Sequence, residues 1–552
     1  MEKIRFDIKS GFIRLWSHEN LKYVFMLSVL ATITFFIKNV LYIKSSMLFD
    51  AYVMPMTISL GMIKYLFVFF LFMAFEYIYM LKASLLEEAV ESMYHGIRRY
   101  ERGSLLVCIL LAAFYWLLFV VLNVGACAYI GFFDWKYYFY IFGVLFFYVF
   151  NILLLAILLA WMVAKRFGRI VSYSILICII FFSSVFFEEI TALLYDMGIN
   201  IYPFQELFSF LPTGMDFMPN FQNPFVVQIY RIALLYMWIF GVTAIACFHK
   251  HPIQKTFYGS LAFVVLTLVS LVLYIVPSPK ILMNENPKGT LYEGQVFYAD
   301  NEIVFKESGD DFQVNSYIMN MKIGRQLENT VDINVEPHDL QCYCFTLFHG
   351  YSVDSVKDQD GNKLPYLQEQ DYLYIYKDKD DVKTLSIHYQ GSSSTYYACS
   401  QGVFLPGNFP YYPQPGLKKV FDPDNYTYAG DFLKEKAYFE VKIQGGHQIY
   451  TNLECDDTGW YKGYCQGPIF ANGFLEQYEQ QGISLVYPYL NSDYSVADIQ
   501  TWIRSLQDEL KGAYPDKIFV APNLNQKNTI YISDDYTITP YLFDAIEYET
   551  EK

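Results

Sequence analysis

The chain has 552 residues, 54% of them hydrophobic and 19% aromatic, with a formal net charge of −15. That charge is unevenly spread: residues 1–277 carry 19 Lys+Arg against 15 Asp+Glu, and residues 278–552 carry 21 against 40. A weakly basic apolar half joined to a strongly acidic half implies two domains in two solvents, and the acidic balance excludes a nucleic-acid partner, which needs a basic footprint.

The first segment, 4–16 (IRFDIKSGFIRLW), has basic and aromatic faces and reads as an interfacial helix. Charges continue to Lys22, and the long apolar stretch that follows has no small-residue cleavage site, so no cleavable signal peptide is expected. Apolar runs of roughly 20 residues suffice to cross a hydrocarbon core about 30 Å thick. They predict spans near 21–43, 53–81, 104–132, 137–163, 170–196, 226–248 and 257–277. The loops alternate in charge. Lys3, Arg5, Lys9, Arg14 and Lys22 fall on one side with Lys82, Arg98, Arg99 and Arg102, with Lys165, Arg166 and Arg169, and with Lys250 and Lys255. The other side has little beyond Lys44 and Lys136. The positive-inside rule puts the N-terminus in the cytoplasm, and seven spans then put everything after Pro277 outside a cell membrane.

Loop 84–102 (SLLEEAVESMYHGIRRYER) places Leu86, Ala89, Val90, Met93, Ile97 and Tyr100 at helical spacing, which predicts an amphipathic helix along the cytoplasmic face. It is either a charged connector over the ends of spans two and three or a docking element for a partner. Ionisable residues inside spans are functional suspects, here Lys38, Lys64, Glu76, Glu188 and Glu189. Snorkelling toward the nearer interface accounts for them without a function. The alternative makes Glu188 and Glu189 pathway residues that line a polar vestibule and meet a cationic cargo group. The outer loop 197–225 contains four prolines, many Phe, Leu and Met, and no Lys or Arg. It reads as a segment that dips back under protein cover.

This layout, with the FLPTG stretch at 210–214, resembles the permease subunits of type-2 ABC exporters over about residues 1–250. The resemblance implies a separate ATPase subunit, for which Glu87, Glu88, Glu91, Arg98 and Arg99 are the docking candidates. It also implies a second permease copy or paralogue to complete the pathway. The chain lacks a GxxxxGK[ST] phosphate loop, in keeping with an ATPase on another chain. A seventh span departs from the six-span plan of that family.

After the PSPK linker at 277–280 the period changes. Residues 371–377 (DYLYIYK), 383–389 (KTLSIHY) and 437–443 (AYFEVKI) alternate, and turns such as the one at Asp360 and Gly361 separate them. Short alternating strands predict an antiparallel β-sandwich. Near the end, the SVAD stretch at 495–498 predicts a helix cap, with Ile499, Trp502, Ile503, Leu506 and Leu510 on one stripe, a stop at Gly512 and a strand over 517–521. The domains expected are therefore 1–277 (membrane), 278–490 (β-sandwich) and 491–552 (a short α/β remnant).

Four cysteines (Cys108, Cys127, Cys178 and Cys247) fall in predicted spans, and five lie beyond them. Cys455 and Cys465 bracket a glycine-containing loop and are candidates for a disulfide. Cys342 and Cys344 share one strand face and do not readily pair with each other. Tyr372, Tyr374 and Tyr376 on one strand face, and Tyr411 and Tyr412 in the NFPYYPQPG loop (408–416), are candidates to bind a peptide or other cationic, amphipathic cargo. Their alternative is to pack beneath another sheet.

The run of segments 316–335, 344–375, 385–391, 404–413 and 437–452 resembles the N-terminal β-domain of aminopeptidase N-like metallopeptidases, and 498–521 resembles the opening of their catalytic domain. The zinc chemistry of that family needs HExxH on a helix, whereas the one His-Glu pair here, His18-Glu19, is followed by Asn20, Leu21 and Lys22. No catalytic, metal-binding or cofactor-binding residue transfers, so no cofactor and a non-catalytic outer module are expected. Three functions compete: an exporter subunit whose outer domain shapes the exit or binds cargo, a membrane-anchored binding protein without transport, and a tethered peptidase, which the missing zinc motif disfavours.

Overall fold

Long apolar runs with few breakers form helices over the first half of the chain, and alternation forms strands over the second. The computed structural model describes residues 2–46, 52–84, 87–93, 96–211, 229–247, 254–275, 297–298, 312–336, 341–377, 382–393, 395–400, 402–422, 427–428, 430–445, 448–480, 482–490, 499–500, 515–520 and 530–539. The chain folds as two units joined in sequence at Pro277 and Ser278.

In the first unit α1 (Glu2–Ser17) precedes α2 (Glu19–Ser46), α3 (Met54–Gly61) and α4 (Ile63–Ala83). The short α5 (Glu87–Glu91) leads into α6 (Gly96–Ile130). Asp134 caps α7 (Trp135–Leu145) by accepting from the Lys136 and Tyr137 N–H groups at 2.9 and 3.2 Å. One π-turn, Phe146–Phe150, joins α7 to α8 (Asn151–Arg166), and the Asn151 side chain donates to the Phe146 carbonyl across it. Then follow α9 (Arg169–Phe182), α10 (Val185–Asp196), α11 (Tyr202–Glu206), α12 (Ile229–Cys247) and α13 (Gln254–Ile275).

Five of these rods are long and apolar enough to cross a membrane: α2, α3 with α4, α6, α7 with α8, and α12. The expected fifth span is broken. α9 and α10 meet at a 61° bend, so they make either a sixth crossing or a re-entrant loop. At the bend the Ser183 hydroxyl donates to the Ile179 carbonyl and Ser184 to Phe181, both at 2.7 Å. Adjacent serines that bond back to their own helix loosen its ladder and favour a kink. α13 is a shorter apolar helix over Gly259–Ile275. The expected seven crossings therefore depend on the bent pair and on α13. α4 and α8 are enclosed at the centre, with Phe67, Phe70, Phe75, Leu155 and Ile157 fully buried. α2 and α13 expose leucines and valines on most sides, the surface that suits lipid.

α1 is clamped onto the start of α6. Its Asp7, Gly11 and Leu15 recur every four residues and are buried, while Phe6, Ile13 and Trp16 face outward. The Asp7 carboxylate meets Arg99 at 3.2 Å and Arg102 at 3.6 Å. Arg14 lies over the Tyr100 ring at 4.0 Å and donates to Ser104 at 3.2 Å. The backbones almost touch: a Cβ on Gly11 would sit 2.8 Å from the Gly103 carbonyl oxygen, and one on Gly103 would sit 2.6 Å from that of Asp7. Small residues at a helix crossing permit this approach.

The second unit is built on a seven-stranded sheet. Its order from edge to edge is Glu454–Cys455, Trp460–Cys465, Ala437–Gln444, Val314–Ile323, Leu327–Val335, Thr384–Gly391 and Tyr351–Lys357. The sheet is not wholly antiparallel, because Val314–Ile323 and Ala437–Gln444 run parallel, with Met319 opposite Val441. A four-stranded sheet (Gln414–Pro415, Cys342–Thr346, Tyr372–Tyr376, Tyr366–Glu369) contributes Tyr343, Phe345, Leu373 and Ile375 to the same core. A second four-stranded sheet pairs Tyr450–Thr451, Phe470–Asn472, Gly402–Leu405 and Ala398–Cys399. A five-stranded sheet orders Leu475–Gln480, Ile483–Pro488, Lys517–Val520, Thr537–Thr539 and Tyr531–Ile532. This last sheet runs across residue 490, because Leu485 and Val486 pair with Ile518 and Phe519. Most of the helix expected after 495 lies outside the described residues.

The close α1–α6 crossing gives a test. Gly11→Leu should unseat α1 at a cost of about 1–3 kcal/mol, read as a lower melting temperature in detergent and faster proteolysis within residues 2–17. Lys9→Ala, on the exposed face of the same helix, should change neither.

Candidate functional site

At the end of the first unit that bears most of its basic residues, acids from several helices neutralise them. Glu76 on α4 accepts from Arg169 at 3.2 Å and from the Tyr173 hydroxyl. Glu101 lies 3.4 Å from Lys165. Lys82 donates to the Ala164 and Lys165 carbonyls at 2.8 and 3.1 Å, which caps the C-terminus of α8. Glu76 is thus held by a cross-helix partner, which accounts for this charge without snorkelling.

The amphipathic helix expected over 84–102 is interrupted. Among the described residues Glu87–Glu91 is helical, Ser92 and Met93 are not, and helix resumes at Gly96, which must stay small because a Cβ there would lie 1.9 Å from the Val90 carbonyl oxygen. Glu88 and Glu91 are exposed, and Met93 is 63% exposed. Arg99 is engaged by Asp7, so it serves the α1 clamp. The side chains of Glu87 and Arg98 lie outside the described residues. Sequence reasoning missed Asp7, although it is an acid within a basic helix and stands four residues from Gly11.

Glu188 and Glu189 do not sit deep in one straight span. Both fall in the first turns of α10, just past the bend, with Glu188 half-buried and Glu189 exposed. Successive helical residues point about 100° apart, and the two carboxylates differ accordingly in exposure. Beside the bend is an aromatic cluster. Phe182 stacks on Phe208 at 5.2 Å and meets Phe187 edge-on at 5.0 Å. Trp238 of α12 donates to the Leu207 carbonyl at 2.6 Å. Phe210 and Leu211 are buried, with Phe210 5.6 Å from Phe67 of α4. Residues 212–214 of the FLPTG stretch lie outside the described residues.

In the second unit the expected tyrosine surface divides. Tyr411 and Tyr412 are fully buried, and the whole stretch 402–416 is enclosed with them. This removes both as cargo contacts. The segment contains four prolines and so has few N–H groups of its own. Tyrosine hydroxyls meet its carbonyls and those of its neighbours: Tyr389 donates to Tyr411 at 2.8 Å, Tyr317 to Pro413 at 3.1 Å, and Tyr411 itself to Pro468 at 2.8 Å. Asn329, also buried, donates to the Tyr389 hydroxyl at 2.8 Å. Burial pushes the hydroxyls of Tyr389, Tyr411 and Tyr412 well above the usual tyrosine range, so they remain donors. Tyr372 is buried as well. Only Tyr374, half-buried, and Tyr376, 43% exposed, remain on an outer sheet face, beside the exposed Leu367.

The expected Cys455–Cys465 disulfide is ruled out by register. Cys455 pairs with Tyr461, four residues before Cys465 on the neighbouring strand. That offset is about 13 Å at a strand rise of about 3.3 Å per residue, against a disulfide Cα limit of about 7 Å. Cys465 is buried, which pushes its thiol up to about 12. Among the described residues no three His, Cys, Asp or Glu side chains converge as a metal site. His349 is occupied locally: its Nδ1 lies 2.9 Å from Asp371, and its ring stacks on Phe297 at 3.4 Å. A cavity of about 450 Å³ lies between Lys418, Asp431, Lys434, Gln466 and Asp534. At Gln466 its polar wall is paired: the side chain accepts from the Asp534 N–H at 2.9 Å and the Gln466 N–H donates to Asp535 at 3.0 Å.

No protein-family model matches the sequence, and no curated protein matches it. Among solved structures the chain is similar to native yeast leukotriene A4 hydrolase, at 14% identity and a TM-score of 0.30 over 43% of each chain. It is also similar to an M1 zinc metallopeptidase mutant from Deinococcus radiodurans bound to a Tyr-Ser-Ala substrate, at 13% identity and a TM-score of 0.29, covering 43% of this chain and 62% of that one. The chain thus spans less than two thirds of the length of either.

Two outcomes follow from the tyrosine packing and the strand register. In urea unfolding of the full chain, Tyr411→Ala should cost about 3–5 kcal/mol, while Tyr376→Ala should stay within about 0.5 kcal/mol of the unsubstituted protein. Non-reducing peptide mapping should recover Cys455 and Cys465 as separate thiols, and a linked pair would contradict the register.

Proposed function

We propose that this chain is a multi-pass permease-type subunit of an exporter driven by a separate ABC ATPase, with its N-terminus in the cytoplasm and its acidic β-rich unit outside. A second copy or a paralogue would complete the pathway. The observation that carries this reading is α5: a short acidic helix, exposed at Glu88 and Glu91, between two anchored helix ends. On its N-terminal side, Lys82 of α4 is tied to the end of α8. On its C-terminal side, α6 is locked by α1 through Asp7, Gly11 and Gly103. A small element on a rigid base can pass a push from a partner to the helices behind it, whereas one on a soft base would absorb it. The buried Phe210 and Leu211 are in keeping with the apolar outer loop read from the sequence as dipping back under protein cover.

For the outer unit we propose a binding or shaping role without peptide hydrolysis. The sequence resemblance to the aminopeptidase β-domain supplies a scaffold, the HExxH pair is missing, and a fold does not carry an activity by itself. The exposed face around Leu367, Tyr374 and Tyr376 is the part of the expected tyrosine surface that stays accessible.

Two experiments test these roles. The tagged chain should copurify with an ABC ATPase from its native membrane, and Glu88→Lys with Glu91→Lys should reduce that recovery at least about tenfold without lowering the amount of chain in the membrane. Recovery of no ATPase at all would leave the membrane-anchored binding protein as the standing reading. In a background lacking Cys178 and Cys455, an impermeant maleimide on intact cells should label Asp360→Cys and spare Ser92→Cys. The reverse pattern would invert the proposed topology.

A further inference from the structure

Cys342 and Cys344 lie two residues apart on the strand Cys342–Thr346, and their side chains project from the same outer sheet face. Neither is in a disulfide, and both are half-buried. The Cys342 thiol donates to the Tyr343 carbonyl at 3.7 Å. Register places Tyr376 opposite Cys342 and Tyr374 opposite Cys344. Leu367 stands beyond Tyr374 on the next strand. Two sulfur donors are therefore set among tyrosine rings and an aliphatic side chain.

Strand geometry decides what this pair can do. Alternate residues on an extended strand have Cα atoms about 6.6 Å apart and Cβ atoms pointing the same way. A disulfide needs the two Cβ atoms within about 3.5–4.5 Å of each other, so direct oxidation to an S–S bond would require the strand to pucker. The strand is pinned on both flanks: its residues pair with Tyr372–Tyr376 on one side and with Gln414–Pro415 on the other, and the Cys344 carbonyl accepts from the Gly416 N–H at 2.9 Å. One atom between the sulfurs would bridge a wider gap than a direct S–S bond does.

We propose that Cys342 and Cys344 form a two-coordinate site for a soft monovalent metal ion of the copper(I) class. Thiolates select soft cations, while tetrahedral zinc requires four donors. No third His, Cys, Asp or Glu among the described residues joins the pair. Binding displaces both thiol protons to solvent, forms two metal–sulfur bonds, and involves no change in oxidation state.

The test uses the full chain in detergent, reduced and then held free of oxygen, in a background with Cys178 and Cys455 replaced by Ser. Copper(I) is titrated against a coloured copper(I) chelator. One equivalent should be withheld from the chelator, and Cys342→Ser and Cys344→Ser should each weaken that binding at least about 100-fold. Melting curves of both variants identify any loss that comes from misfolding. X-ray absorption of the copper-loaded background protein, which does not depend on those variants, should report two sulfur neighbours. Retention of copper(I) by either serine variant, three or four sulfur neighbours, or recovery of Cys342 and Cys344 as a mutual disulfide after air exposure would each overturn the assignment.

Discussion

A main-chain carbonyl placed in an apolar, aromatic interior must find a donor, and both units of this chain are organised by that requirement. The first unit meets most of it with helices, and the exceptions show where helices alone fall short. Asn151 covers a carbonyl at the π-turn, Lys82 covers two at the end of α8, and Trp238 covers one in the segment after α11. The second unit has a buried proline-rich segment whose residues 406–413 lie outside any ladder. Tyr317, Tyr389 and Tyr411 take over, each contributing a ring to the core and a hydroxyl to a carbonyl. The same residue type thus packs and solvates, which is why so aromatic a core is compatible with so irregular a loop.

Charge is managed by the same logic. The basic residues that mark one end of the helical unit do not stand alone, since Asp7, Glu76 and Glu101 meet Arg99, Arg169 and Lys165 across helix boundaries. Most of these pairs are partly exposed and contribute little stability individually. Asp7 differs because its side chain is almost wholly covered while its arginine partners remain about half exposed. A buried carboxylate with two guanidinium groups at its edge fixes register more than it adds stability.

Much of the architecture was legible in the sequence because period carries it. The apolar runs marked the helices of the first unit, and alternation marked strands such as Thr384–Gly391 and Ala437–Gln444. What periodicity could not convey was pairing. Tyr411 and Tyr412 look like a solvent-facing turn in the sequence, but their burial depends on Tyr389 and Pro468, far away in the chain. Cys455 and Cys465 look like a bracketed loop until strand register sets them four residues out of step. The break in the expected fifth span had a faint local signal, the Ser183-Ser184 pair, with no proline or glycine to announce it. For the helix expected over 84–102, the apolar spacing was real, but Gly96 divides it at a point where the backbone must pass close to Val90.

The seat of α1 also bears on how the chain is made. Asp7 and Arg99 are 92 positions apart, so α1 leaves the ribosome well before its partner exists. At about 5–20 residues per second, that interval lasts roughly 5–18 s. Throughout it neither Arg99 nor Arg102 is there for Asp7 to meet, and Gly11 has no Gly103 to pack against. α1 must therefore wait at a surface where a carboxylate can stay hydrated, and its outward-facing Phe6, Ile13 and Trp16 suit such a boundary. Synthesis and insertion of α6 then end the wait, so the first helix translated cannot dock until the sixth has been made.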